Sequence, residues 1–139
     1  GKLTVCGEKI DLGKVKLPVY VYGSREDHIV PINAAYASTQ VLPGKKRFVM
    51  GASGHIAGVI NPPAKGKRSH WIRADGKLPA TLEQWLEGAT EHAGSWWTDW
   101  SHWLKAHAGK QIAAPKTYGK GAKFKAIEPA PGSYVKQKS

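Results

Sequence analysis

At 139 residues, 41% apolar and with six tryptophans, the chain can bury a single-domain core, which argues against disorder. Its 21 Lys and Arg outnumber ten Asp and Glu, and the formal charge of +11 favours polyanionic or phosphorylated partners. No apolar run approaches the ~18 residues of a membrane helix, the opening GKLTVCGEKIDL has no hydrophobic signal region, and the lone Cys6 excludes an internal disulfide, so a cytoplasmic setting is expected.

The stretch KVKLPVYVY (14–22) is β-branched and aromatic without polar alternation, the pattern of a central parallel strand, with Pro18 tolerated near its start. GSREDHIVP (23–31) follows as a loop that crowds Glu26, Asp27 and His28 together. INAAYASTQVL (32–42) opens just past Pro31 as an Ala-rich helix, and KRFVMG (46–51) is a second strand. Strand, helix, strand is a βαβ unit, so the two strands are expected to be parallel neighbours. Residues 52–71 carry too much Gly and Pro for regular structure.

TLEQWLEGATEHAG (81–94) starts with a capping box, Thr81 and Gln84, and predicts a helix ending on Gly94. Leu82, Trp85, Leu86, Ala89 and Ala93 would share its buried face. SWWTDWSHWLKAHAG (95–109) predicts another helix, with Trp96, Trp100, Trp103, Leu104 and His107 inward. From 110 to 139, seven lysines and one acid, Glu128, predict a basic, extended tail. That tail would be pinned at Ile112, Tyr118, Phe124, Ile127, Tyr134 and Val135. The organisation expected is therefore a folded α/β portion over 1–109 and a tail over 110–139.

Asp27 and His55 follow the two parallel strands at the same sheet edge, where ligand sites of open α/β sheets lie. Strands ~4.8 Å apart open their loops side by side, and glycines at 51, 54 and 58 let the chain bend around His55. An aspartate accepting from one ring nitrogen frees the other to act as a general base. An ordinary salt bridge is the plain alternative. Cys6, Asp27 and His55 follow the nucleophile, acid, base order of α/β-hydrolases. LTVCGEKID, however, is no G-x-Cys-x-G elbow and opens no helix, so Cys6 is expected to be a small buried or edge residue. The histidines lack zinc-like spacing, and no metal is expected. The tryptophans fall at core spacing. KGKRSHWIR (65–73) is a basic cluster able to meet a phosphate, read here as a solvated loop.

YGSREDHIVP, GASGHIAGVINPPAKGKRSHW, QWLEGATEHAGSWWTDWSHWL and AIEPAPGSYVK together closely resemble the C-terminal end of class I poly(3-hydroxyalkanoate) synthases, over essentially the whole chain. The resemblance implies an α/β-hydrolase fold whose Cys–His–Asp triad moves 3-hydroxyacyl groups from coenzyme A to a cysteine and on to a growing polyester. It needs no cofactor besides the thioester substrate. It implies that Asp27 is the triad aspartate and His55 the histidine, with His28 a neighbour that shapes the loop. Whether Asp27 orients His55 or activates the substrate hydroxyl stays open. It further implies a homodimer at the surface of polyester granules. The family's G-x-C-x-G box does not occur in this sequence, so an upstream part carrying the nucleophile is the expected partner and the chain alone is expected to be inactive. Two other readings stand beside it. One is a fragment of another α/β-hydrolase, an esterase or thioesterase. The other is a non-enzymatic basic module that binds nucleic acid through its lysines and tryptophans, a partner the resemblance disfavours.

Overall fold

The computed structural model describes residues 1–138, the Lys120 side chain excepted. The chain divides into two compact units, Gly1–His107 and Ala108–Ser139. The first begins with a small antiparallel hairpin of β1 (Leu3–Val5) and β2 (Glu8–Ile10), whose strands are exposed. Cys6 and Gly7 form its turn with φ of 50° and 82°, the left-handed pair that a two-residue hairpin requires. Cys6 is exposed. The expectation of a buried or edge residue fails because the flanking triplets are too short to build a covered strand.

The main sheet is mixed and runs β3 (Val19–Ser24), β4 (Lys46–Gly51), β5 (Ser69–Ile72), β6 (Thr90–Ala93) in spatial order. β3 and β4 are parallel, Val19 opposite Lys46 through Ser24 opposite Gly51, and α1 (Ile32–Val41) connects them. The βαβ expectation therefore holds. β5 and β6 each pair antiparallel with the strand before them, so only the first pair is parallel.

Strand alternation sends the two faces of this sheet to different helices. On one face Phe48 and Met50 meet Tyr36 of α1 and Leu82 and Trp85 of α2 (Leu82–Glu87), which together form the buried core. Phe48 stands edge-on to both Trp85 (centroids 4.8 Å apart) and Tyr36 (4.9 Å), the arrangement that aromatic quadrupoles favour. The Tyr36 hydroxyl donates to the Pro79 carbonyl at 2.6 Å, so burying this ring leaves no polar atom without a partner. On the opposite face Tyr20 and Tyr22 meet the tryptophans at and before α3 (Trp97–Lys105). The result is an α/β/α layering.

Two helix expectations need correction. The predicted helix over 81–94 stops at Glu87, because Gly88 breaks it and β-competent Thr90–Ala93 joins the sheet as β6. Ala89 and Ala93 thus lie outside any helix. Thr81 does cap α2, its hydroxyl accepting from the Gln84 amide at 3.3 Å. In the last helix, Trp96 is buried, but Trp100 and Leu104 are 38% and 39% exposed and His107 is exposed, so the inward stripe is narrower than the spacing suggests. The stretch 52–71, expected to be irregular, ends in β5 and holds a 3-10 turn at Pro63–Lys65.

The second unit carries a two-residue hairpin, β7 (Gly119–Lys120) against β8 (Phe124–Lys125), and a 3-10 turn at Tyr134–Lys136. The residues expected to pin it are exposed, Ile112 at 89% and Ile127 at 94% among them. They are spaced too widely among Gly, Ala and Pro to form a shared core. No helix among the described residues is long and apolar enough to cross a membrane.

Candidate active site

The parallel ladder does not end with its strands. The Arg25 amide donates to the Gly51 carbonyl at 2.8 Å, and the Glu26 amide donates to Ser53 at 3.0 Å. These bonds zip the two exit loops together past the edge of the sheet. Asp27 then turns back, its amide donating to the Ser24 carbonyl at 3.2 Å. On the other strand, Ser53 takes a left-handed φ of 74°, uncommon for a residue with a side chain and a form of local strain that gathers at functional sites. His55 follows two residues later.

The two side chains meet. His55 Nδ1 lies 2.8 Å from Asp27 Oδ2, and the other carboxylate oxygen accepts from the Ile29 and Val30 amides, both at 2.9 Å. The Asp27 carboxylate is 8% exposed and the His55 ring 41%, so the acid is held within the protein while the imidazole reaches a surface. The Val30 amide, helped by His55 and Ile29 and opposed by burial, holds the Asp27 carboxyl below its usual value. With Oδ1 and Oδ2 both engaged, Asp27 is a fixed acceptor for one ring nitrogen. Nδ1 therefore carries the shared proton, and Nε2 has its lone pair available to accept a proton. His28, next in the chain, is exposed.

Sequence reasoning missed the framework under this pair. A Cβ at Gly58 would stand 2.4 Å from Ser24 Oγ and under 3 Å from the Gly54 and Ala52 carbonyls, so only glycine lets the His55 loop close on the strand. Ser24 Oγ also lies 3.0 Å from the Tyr22 hydroxyl, and the Tyr22 ring stacks on Trp96 at 4.2 Å. The Trp96 indole donates to the Gly58 carbonyl at 3.2 Å, the Trp97 indole to Val59 at 2.9 Å, and Arg68 to Ala57 at 2.8 Å. At the far end of the same sheet face, Asp99 of α3 accepts from Arg47 Nε at 2.8 Å and from the Tyr20 hydroxyl at 2.9 Å, with a second contact to Arg47 Nη2. Burial, reinforced by the Asp99 charge, pushes the Tyr20 phenol well above its ordinary value, so it stays a donor. The signals were in the sequence: tyrosines two apart on one strand, and paired tryptophans.

Cys6 sits in the separate hairpin, outside the sheet that bears Asp27 and His55. In the basic stretch 65–73, Lys65 and Lys67 are exposed, but Ser69–Ile72 is strand β5 with His70 buried, so the expectation of a solvated loop holds only before Ser69. Among the described residues, no three His, Cys, Asp or Glu side chains are grouped to hold a metal ion.

With this geometry in place, comparison with known proteins gives a consistent result. Over all 139 residues the chain is 63% identical to a poly(3-hydroxyalkanoate) polymerase subunit PhaC of Cupriavidus necator, covering 23% of that protein. It is 44% identical to the polymerase subunit PhaC of Rhizobium etli over 99% of the chain and 21% of the relative. The corresponding figures for poly(3-hydroxyalkanoate) polymerase 1 of Ectopseudomonas oleovorans are 40%, 98% and 24%. This chain is homologous to the C-terminal part of the poly(3-hydroxyalkanoate) polymerases. It spans less than a quarter of the length of these relatives. No family model matches it.

Proposed function

We propose that the chain is the acid–base segment of a poly(3-hydroxyalkanoate) polymerase with an α/β-hydrolase fold, in which His55 and Asp27 complete a Cys–His–Asp triad. The observation that carries this reading is the 2.8 Å contact between His55 Nδ1 and Asp27 Oδ2 at the exits of two parallel strands. The relatives' names supply the substrate class, and the rest of the polymerase supplies the cysteine.

His55 Nε2 takes the proton of the cysteine thiol, and the thiolate attacks the carbonyl of a 3-hydroxyacyl-CoA. The thioester C–S bond breaks, and coenzyme A leaves as the thiol once the proton on His55 is returned to it. The acyl-cysteine is then attacked by a hydroxyl, which loses its proton to His55 as the ester forms; the acyl–sulfur bond breaks, and the departing cysteine thiolate takes that proton back from His55. Asp27 orients the imidazole and stabilises its protonated form. The engagement of both carboxylate oxygens, Oδ1 by two amides and Oδ2 by His55, supports an orienting role over activation of the substrate hydroxyl. No cofactor beyond the thioester enters this cycle. Homodimerisation and a location at the polyester granule surface belong to the same proposal.

The test is a chimera in which this chain replaces the matching 139 residues of the Cupriavidus necator polymerase. Coenzyme A release from 3-hydroxybutyryl-CoA is expected in the chimera, with His55→Ala and Asp27→Ala each lowering it by about a hundredfold or more. Cys6→Ala is expected to change nothing. Undiminished turnover in His55→Ala would reject the triad, and release of free acid in place of polymer would select an esterase.

A further inference from the structure

We infer that Trp96 and Trp97 are positioning residues for His55, acting through the backbone of the loop that carries it. This rests on the proposed triad and adds to it. The His55 loop has few holds of its own. It leaves β4 through a strained Ser53, is tightened by the Gly58 amide donating to Gly54 at 2.8 Å, and bears Ile56, Val59 and Ile60, all exposed. Side chains packed in a core do not fix this loop.

Hydrogen bonds fix it instead. Two consecutive indoles donate to two consecutive carbonyls, Trp96 to Gly58 and Trp97 to Val59. A carbonyl pair captured this way has little freedom to rotate, and it lies three and four residues beyond the imidazole. Trp96 is itself wedged, 9% exposed and stacked on Tyr22, whose hydroxyl meets Ser24 Oγ beneath Gly58. The Ser24 carbonyl in turn accepts the Asp27 amide. One indole therefore lies against both loops of the pair, touching the histidine loop by its N–H and the aspartate loop through Tyr22 and Ser24. The helix that follows is anchored to the sheet in its first turn by Asp99, so the indoles are referenced to β3 and β4 and not to a mobile segment. Supporting groups of this kind set the geometry of reacting groups they never touch.

A role in positioning separates from a role in packing through kinetics. Trp96→Phe and Trp97→Phe keep an aromatic ring and remove the indole donor together with the volume of one ring, a loss that Trp100→Phe shares. Trp100→Phe is the control, since that indole makes no hydrogen bond among the described residues. In the chimera described above, each of the first two is expected to lower kcat about tenfold with KM within about twofold, and the double variant to lower it further, while Trp100→Phe leaves kcat unchanged. If Trp96→Phe does not fold, Trp97→Phe, whose ring is only partly buried, carries the test on the same criteria. A kcat within about twofold of the parent in the folded variants, or an equal fall in Trp100→Phe, would overturn the inference. His55→Ala separates the two levels. If it is inactive while the tryptophan variants are normal, only the positioning role fails; if it is fully active, the triad itself fails.

Discussion

Gly58 shows how much of the site depends on one missing atom. Its α-carbon faces Ser24 so closely that a methyl group would stand 2.4 Å from the hydroxyl oxygen and 2.7 Å from the Gly54 carbonyl. The serine can rotate, but the carbonyl belongs to the loop and cannot move without carrying His55 along. Gly58→Ala is therefore expected to hit activity harder than stability. Coenzyme A release by the chimera should fall at least tenfold, roughly the loss seen when supporting groups are disturbed, while the thermal midpoint drops by a few degrees, about 1 kcal/mol. Equal activity in parent and variant would show that the loop has slack the structure does not suggest. Asp27 and His55 were legible in the sequence because strand ends fix where loops begin. Gly58 was legible only as a flexible residue, since nothing in the sequence says which atom it must avoid.

At the level of elements, the contact between α3 and the sheet is ionic as well as aromatic. The Asp99 side chain is 14% exposed and that of Arg47 34%, so the pair is partly shielded from water. Burial alone would raise the Asp99 carboxyl, but the Arg47 and Tyr20 hydrogen bonds outweigh it and hold the group below its ordinary value. A carboxyl whose folded value is depressed adds stability above its unfolded value, about 3.9, and that stability is lost as the pH falls through the folded value. Asp99→Asn should therefore melt earlier than the parent at pH 7, with the gap narrowing as the pH falls below 4. Arg47→Ala leaves the carboxylate without its partner and is expected to cost about 1–3 kcal/mol near neutrality. Melting by circular dichroism across pH 2–7 checks both, and a gap that widens in acid would contradict the sign. The sequence could not show this pairing, because its partners are 52 residues apart. The elements themselves were legible in proportion to their length and contrast. KRFVMG matched the observed β4 to the residue, whereas the short, polar SHWI and TEHA became strands only because each had a neighbour to pair with.

For the molecule as a whole, the decisive feature is the free side of β3, which pairs with β4 alone among the described residues. In a parallel pair the amides alternate in direction. Val19 donates to Lys45 and Arg25 to Gly51, so the odd-numbered amides of this strand face β4 and those of Tyr20, Tyr22 and Ser24 face outward. Six residues with an unpaired edge form a template for another strand, which natural sheets seldom leave bare. No charged side chain stands on β3 to guard it, since the strand reads VYVYGS. The relatives are more than four times longer than this chain, and we propose that a strand from their remaining length occupies the edge. Hydrogen exchange followed by mass spectrometry and NMR tests this directly. In the 139-residue chain the amides of Tyr20 and Tyr22 are expected to exchange quickly while Val21, bonded to β4, exchanges slowly. In the chimera all three should be slow, because the outer amides gain acceptors of their own. If Tyr20 and Tyr22 are already protected in the isolated chain at low concentration, the edge is covered from within, and this account of how the acid–base segment joins its nucleophile fails. If protection instead grows with concentration, the edge is being filled by a second copy of the chain, and the chimera should abolish that association by supplying the strand the edge is shaped to accept.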